Sequence, residues 1–461
     1  MNRTAEDFFH SIKDRHVAFI GVGVSHTDCI RLFARKGIRV TVCDRREASS
    51  IPEREEFERL GVTMRCGEGY LDGLSADIIF RTPGMYFGKP EIAQLRKDAI
   101  VTSEMELFFR LCPCRIYAVT GSDGKTTTTS LIAALLSAAG KRVWLGGNIG
   151  KALLPLVEEM TPEDCAVVEL SSFQLMSMRQ SPDVAVITNI TPNHLDVHGT
   201  MEEYINCKRN LLLHQDGFGR AILNLDDPTA YSLAGDVRGQ LRAFSYSSRP
   251  ELGAFLREDG TLCWQEKGAV TPLFDKKAIR IPGEHNVENF LTAITALYGD
   301  IDPALFEKVA REFPGVEHRI EFVRELRGVR YYNDSIATSP TRTIAGLRSF
   351  DVPLILIAGG YDKKIPFEPL AEPVCQNVRV LILTGVTADK IKAAVTSCPA
   401  YDPEKLTIFK VSCLEDAVKL AADVAKEGEV VTLSPACASF DAFKNFEVRG
   451  NYYKDLVNKL D

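Results

Sequence analysis

The sequence predicts an α/β protein of three lobes, and three observations carry that reading. Apolar strand-like runs alternate with helical patterns along the chain, the signature of stacked βαβ units and mostly parallel sheets. A glycine-rich segment ending in Lys-Thr-Thr stands between one such strand and one such helix. The 461 residues also fall into three blocks, residues 1–113, 114–315 and 316–461, as expected of a chain long enough for about three domains.

The first block opens with His16-Val-Ala-Phe-Ile-Gly21-Val-Gly23, passes through a helix to Gly37 and reaches a second strand at Arg39–Asp44. That order matches one mononucleotide-binding half of a Rossmann-like fold. The glycine fingerprint breaks at its third position, which is His26, so a dinucleotide site is not expected. In the second block a strand at 116–119 precedes the glycine-rich segment, and a helical run at 130–139 follows it. The stretch 220–282 is dense in short alternating runs and turn residues, and reads as antiparallel strands attached to a central sheet. The third block places strands at 353–358, 378–384 and 430–433 with helices between them, a second Rossmann-like lobe.

The segment Gly121-Ser122-Asp123-Gly124-Lys125-Thr126-Thr127 stands where a phosphate-binding loop has to be. Small residues let successive backbone amides converge on an anion, and the following helix adds the positive end of its dipole. Lys125 supplies a full charge, and a hydroxyl at Thr126 or Thr127 can bind the Mg²⁺ that accompanies a nucleoside triphosphate. ATP and Mg²⁺ are therefore the expected ligands.

A net charge of −7 argues against a nucleic-acid binder, which would show a basic footprint. Twelve scattered cysteines without a C-x-x-C pair read as reduced thiols. With no signal-like N-terminus and no apolar run of membrane-spanning length, a cytoplasmic protein without membrane insertion is expected. A monomer is the expected state.

Other polar residues fall at strand ends. Glu169 closes the apolar run Val167-Val-Glu169 and is placed to ligate a metal, while His194 follows the strand 186–190 and is a second candidate ligand. Lys208, on composition alone, is a solvated helix lysine. Asn286 and Asn289 offer amides to an adenosine, and Arg319 and Asp334 bring an arginine and an acid from the third block.

Together these motifs resemble the Mur ligases, ATP-dependent amide-forming enzymes of peptidoglycan synthesis, from Gly21 to Gly450. Within that family, Ser434-Pro-Ala-Cys-Ala-Ser439-Phe-Asp-Ala-Phe-Lys-Asn-Phe446-Glu-Val-Arg449-Gly450, with Glu169-Leu-Ser-Ser-Phe-Gln, resembles the branch that adds D-glutamate. The resemblance implies an N-terminal UDP-binding lobe, a central ATP-binding lobe and a C-terminal amino-acid-binding lobe. The implied substrates are UDP-N-acetylmuramoyl-L-alanine and D-glutamate, joined through an acyl phosphate.

By the same resemblance Lys125 and Thr126 hold the γ-phosphate and Mg²⁺, with Glu169 and His194 on the metals. Lys208 matches a lysine that the family carbamylates, making it a further metal ligand. Asn148, in Gly146-Gly-Asn148-Ile-Gly, contacts the reacting region, and Asn289, Arg319 and Asp334 bind adenosine and phosphates. Thr338, Lys363, Ser439 and Phe446 hold D-glutamate, and Asp44, Arg45 and Arg46 fall to the UDP end. One departure stands out: family members often carry a lysine in Asn-Asp-Ser-Lys, where this chain has Ile336, so its contribution either comes from another cation, with Lys363 or Lys364 the candidate, or is not needed. Competing readings are a ligase adding glutamate to a folate, a pyridine-nucleotide oxidoreductase, and a silent UDP-sugar-binding regulator.

Overall fold

The computed structural model describes residues 5–461, apart from the side chain of Asp196. The chain divides into two compact units. One runs to Lys276 and takes in Glu288–Val309; the other is Lys277–Val287 with Ala310–Asp461.

The first unit holds three sheets. β1 (His16–Ile20), β2 (Arg39–Asp44), β3 (Thr63–Cys66), β4 (Ile78–Arg81) and β5 (Ile100–Thr102) form a parallel sheet in the order β3-β2-β1-β4-β5. β6 (Arg115–Thr120), β7 (Val143–Gly147), β8 (Cys165–Glu169), β9 (Val184–Ile187), β10 (Arg220–Asn224) and β11 (Gln240–Phe244) form a second, in the order β11-β10-β9-β6-β8-β7. Every pairing in it is parallel, so the stretch expected to add antiparallel strands to this sheet instead adds two parallel ones. The antiparallel strands β12 (Gly253–Leu256), β13 (Thr261–Glu266) and β14 (Ala269–Asp275) make a separate three-stranded sheet.

The strands read as unbroken apolar runs because both faces of a parallel sheet are covered. In β1, Val17 and Phe19 enter one core while Ala18 and Ile20 enter another. The first of these cores is continuous from Phe8 to Leu233, so the first two sheets share it. Phe33 lies at its centre, edge-on to Phe9, Phe19 and Phe80 at 5.2 to 5.4 Å.

The second unit carries β15 (Glu321–Leu326), β16 (Val329–Asn333), β17 (Leu354–Gly359), β18 (Val378–Thr384), β19 (Thr407–Lys410) and β20 (Val430–Leu433), ordered β15-β16-β20-β17-β18-β19. Only the β15–β16 pair is antiparallel. Leu354 and Leu356 pack into one core, Ile355 and Ile357 into the other, as the period of two requires. Among the described residues no helix is long and apolar enough to cross a membrane.

Phe33→Ala should leave an aromatic-sized hole beside three rings and cost about 3–5 kcal/mol. Urea unfolding followed by circular dichroism would read that as a lower midpoint with an unchanged slope; a midpoint within error of the parent would mean the core closes over the gap.

Candidate active site

The glycine-rich loop joins the end of β6 to the helix Lys125–Ala138. Two of its positions admit only glycine. A Cβ at Gly121 would lie 1.9 Å from Thr188 Oγ1, and Gly124 has φ 75° with Asn289 Oδ1 2.6 Å from where its Cβ would stand. Thr188 and Asn189, just past β9, hold the turn: Thr188 Oγ1 donates to Asp123 O at 2.6 Å. The Ser122 and Asp123 amides both point at Asn189 Oδ1, at 3.2 and 2.9 Å, so two loop amides converge on one oxygen. Lys125 folds back, its Nζ donating to Gly121 O at 3.1 Å and Ser122 O at 2.9 Å. Thr126 is half-buried in the first helical turn and Thr127 is buried. Asn289 is buried against this loop and accepts from Thr128 Oγ1 at 3.1 Å; its Oδ1 is thus engaged by the loop's own helix.

Glu169 ends β8 beside the loop and is buried. Its Oε1 accepts from Asn148 Nδ2 at 2.6 Å, and the Asn148 amide donates to Glu169 O at 2.8 Å. Oε2 is buried with no hydrogen-bond partner. An orphaned carboxylate oxygen is costly, and a cation would satisfy it. Three residues on, the helix Ser172–Leu175 starts in a capping box of Ser171 and Gln174, which aims Phe173 at two histidines. Phe173 meets His194 edge-on at 5.2 Å and stacks on His198 at 5.1 Å. His194 is exposed and has φ 54°, a left-handed conformation uncommon outside glycine. His198 is buried and bonded to Ser172 Oγ at 2.9 Å, a structural position.

Lys208 is not the solvated lysine that composition implies. It sits on the helix Met201–Leu213, capped by Thr200, and is 1% exposed. Its Nζ donates to Gly121 O at 2.8 Å and Thr120 Oγ1 at 3.4 Å, and lies 4.6 Å from the centre of the Tyr204 ring. Burial, reinforced by the charge of Lys125, pushes its pKa down to about 7. A large share of this amine is therefore neutral at neutral pH.

At the carboxyl end of the first sheet Asp44 and Arg46 are engaged with one another. Asp44 accepts from the Val22 and Arg46 amides at 2.8 and 2.9 Å, and from Arg46 Nε and Nη2 at 3.0 and 2.9 Å. Burial raises the Asp44 carboxyl, but these donors outweigh it and leave it below its ordinary value. Arg45 is exposed. His26, where the fingerprint glycine would be, is buried with Nδ1 3.0 Å from Gly21 O and is held neutral, its pKa pushed down to about 4 by burial.

The second unit gathers another group. Asp334 is buried beneath the loop that follows β16; its carboxylate accepts from Ser434 Oγ at 2.7 Å and Ile320 N at 3.3 Å. Burial lifts its pKa to about 7 against these donors and the charges of Arg319 and Arg342. Arg319 is exposed between His318 and Ile320, both with positive φ, 64° and 43°. Lys363 Nζ donates to Thr338 O and Oγ1 at 3.1 and 3.2 Å. Ser439 is buried, and Phe446 stands edge-on to His318 at 5.9 Å. Lys363 thus reaches Thr338, two residues from Ile336, and the Lys364 backbone amide donates to Asp362 Oδ1.

Three family models match this chain: a Mur ligase MurD-like N-terminal domain over 15–102, a Mur ligase middle domain over 119–297, and a Mur ligase glutamate ligase domain over 318–437. The chain belongs to the Mur ligase family. Among its Mur ligase relatives, a UDP-N-acetylmuramoylalanine–D-glutamate ligase of Acetivibrio thermocellus is 48% identical over 466 residues, covering 100% of both chains. One of the same name from Clostridium kluyveri is 47% identical over 463 residues, again covering 100% of both. Among solved structures, the UDP-N-acetylmuramate-alanine ligase of Thermotoga maritima shares the fold at TM-score 0.57 and 17% identity, covering 96% of this chain and 98% of its own. A UDP-N-acetylmuramoyl-L-alanyl-D-glutamate–2,6-diaminopimelate ligase does so at 0.58 and 17%, covering 92% and 93%.

Two arginines of this Mur ligase were given no role in the sequence reading, although Arg449 stands in the C-terminal signature, and both are buried. Arg81, wholly buried at the end of β4, donates through Nη1 to Met85 O at 3.1 Å and through Nη2 to Phe173 O at 3.1 Å and Ser177 Oγ at 2.7 Å. It ties the loop after β4, whose Thr82 packs against Gly21, to the segment after Glu169. Arg449 donates to Ser335 Oγ, Ser335 O, Cys437 O and Ala438 O at 2.9 to 3.2 Å, lacing the loops of the second unit together. An arginine closing an apolar strand, or lying one helical turn past Phe446, carries no signal in sequence that it will be buried.

Among the described residues no three of His, Cys, Asp and Glu cluster as a ready-made metal cage. The donor set fits Mg²⁺ nonetheless, since that ion takes one or two carboxylates and completes its shell with water and phosphate.

The Lys208 amine has a testable signature. Between its folded pKa of about 7 and its ordinary value of 10.5, the unfolded chain holds a proton that the folded chain lacks, so stability rises with pH across that window. In CO₂-free buffer, the stability of the parent relative to Lys208→Met should increase from about pH 7 to about pH 10. A difference that stays flat in urea titrations at the two values would place the amine in water.

Proposed function

We propose that this chain forms an amide bond between the L-alanine carboxyl of UDP-N-acetylmuramoyl-L-alanine and the amine of D-glutamate at the expense of ATP, in peptidoglycan precursor synthesis. The observation that carries the reading is full-length identity of 44–48% to proteins named for that reaction. The geometry supports it, because a phosphate loop, an orphaned carboxylate oxygen and a buried amine converge at the carboxyl end of β6. A pyridine-nucleotide site has no such support, since His26 fills the fingerprint position.

A carboxylate is a poor acyl donor. Transfer of the γ-phosphoryl group to the L-alanine carboxylate gives an acyl phosphate and ADP, and attack by the D-glutamate amine then expels phosphate. Gly121, Ser122, Asp123, Gly124, Thr126 and Thr127 form the cradle for the ATP phosphates. Lys125, releasing the loop carbonyls it holds, neutralises charge on the transferred group. Asn148 holds the Glu169 carboxylate in place. Lys208, as a partly neutral amine, adds to CO₂ to give a carbamate and a proton, turning a cation into an anionic oxygen ligand.

Mg²⁺ would be held by Thr126, Glu169, His194 and carbamylated Lys208, and when bound it supplies positive charge to the phosphate oxygens. Asn289, Arg319 and Asp334 are assigned to the ATP site, Asp44, Arg45 and Arg46 to the UDP end, and Thr338, Lys363, Ser439 and Phe446 to D-glutamate. We assign the three lobes to residues 1–113, 114–315 and 316–461, the outer two Rossmann-like, in a monomeric cytoplasmic enzyme.

ADP release should require UDP-N-acetylmuramoyl-L-alanine, Mg²⁺ and D-glutamate, with L-glutamate and D-aspartate far weaker; equal use of both glutamate enantiomers would overturn the substrate assignment. Lys125→Ala should lower turnover by about 10²-fold or more. Lys208→Ala should be inactive and partly restored by acetate, and normal activity without added carboxylate would exclude the carbamate.

A further inference from the structure

The connector between the first two sheets of the first unit carries two cysteines one residue apart. Cys112 ends the helix Glu104–Leu111, and Cys114 immediately precedes β6. Pro113 stands between them and shapes the segment: the residue before a proline is disfavoured in the helical region, and Cys112 is extended, at φ −61° and ψ 121°. The backbone is held on both sides, the Cys112 amide donating to Phe108 O at 2.8 Å and the Ile116 amide to Asp183 Oδ2 at 2.7 Å.

That geometry brings the two thiols together. Cys112 Sγ lies 3.5 Å from Cys114 Sγ, and the Cys112 thiol donates to Cys114 O at 3.6 Å. A disulfide needs its sulfurs about 2 Å apart and its Cα atoms within about 7 Å, and two residues of chain meet the second condition unaided. The sulfurs therefore have about 1.5 Å left to close.

The two positions differ in access. Cys112 is half-buried beside the exposed Pro113, whereas Cys114 is buried in the shared core. A hydrogen bond from the Cys114 thiol holds the Cys112 thiol below its ordinary value, against burial and the charges of Asp183 and Asp164, and the same bond, with burial, raises the Cys114 thiol. A reachable thiol that ionises first, backed by one that keeps its proton, makes an attacking and resolving pair. Both lie at the amino end of β6, and the glycine-rich loop leaves its carboxyl end. Neither has a part in the ligase reaction, so the two readings stand separately.

We propose that Cys112 and Cys114 form a reversible thiol-modification site whose co-reactant is a small-molecule disulfide. The Cys112 thiolate attacks one sulfur of that disulfide, its S–S bond breaks and a first thiol leaves. Cys114 Sγ then attacks Cys112 Sγ, the mixed S–S bond breaks and a second thiol leaves. Two protein thiols are oxidised to one disulfide, the small disulfide is reduced to two thiols, and two protons pass from the cysteines to the departing sulfurs. In a reducing compartment such a bond is transient, closing when small disulfides accumulate and reopening when the thiol pool recovers.

The test incubates the full chain with oxidised glutathione, alkylates it with iodoacetamide in denaturant and follows the tryptic peptide 111–115, which carries both cysteines. In the parent this peptide should become two hydrogens lighter, take no alkyl group, and return to the doubly alkylated form after dithiothreitol. Cys114→Ser should stop at one glutathione on Cys112, whereas Cys112→Ser should leave Cys114 open to alkylation. Full alkylation of both parent cysteines, under conditions that oxidise a free dithiol peptide, would overturn the proposal. So would a glutathione adduct that persists on Cys112 of the parent, because the resolving thiol then fails to arrive, or a bond from Cys114 to Cys165 on the neighbouring β8. The parent measurement decides the outcome even where a variant does not fold.

Discussion

The close approach of the β6 turn to the end of β9 is the constraint on which the candidate site depends. Because Thr188 Oγ1 occupies the space a side chain at position 121 would need, the backbone there must be bare. A bare backbone leaves Gly121 O open to two cations at once, Lys125 Nζ at 3.1 Å and Lys208 Nζ at 2.8 Å. Two ammonium groups on one carbonyl repel each other, which is the second cause, after burial, of the low Lys208 pKa. The glycine that the tight turn requires thus also brings two lysine amines onto one carbonyl.

Buried positive charge in this protein is solvated mainly by carbonyls rather than paired with carboxylates. Arg81, Arg449 and Lys208 all follow the pattern. Burial lowers the pKa of each, with Arg449 falling to about 10. A carbonyl shell fixes loops in place without a direct ion pair. The negative groups, Glu169 and Asp334, are instead held by neutral donors, an amide and a hydroxyl.

The sequence made the parallel sheets legible because strands buried on both faces are continuous apolar runs, and made the tight turn after β6 legible because only glycine tolerates its geometry. It misled at 220–282, where short turn-bounded strands look alike whether they extend a parallel sheet, as β10 and β11 do, or form a hairpin sheet, as β12 to β14 do. Polar residues at strand ends, such as Glu169, could be placed there from the chain alone. Lys208 could not be recognised as buried from its helix, since nothing in Cys207-Lys208-Arg209 distinguishes an inward lysine from an outward arginine. The burial of Arg81 and Arg449 could not be read for the same reason: most of their partners are main-chain oxygens, which every residue has.

Arg81 places a mechanical condition on the first unit. One guanidinium draws its solvation from the loop after β4, at the mouth of the first sheet, and from Phe173, whose ring lies against His194 and His198. Displacing either segment alone strips acceptors from a charge that water does not reach, and that penalty falls on the other segment as well. The two segments therefore share the solvation of one buried cation, so the cost of moving either depends on where the other stands.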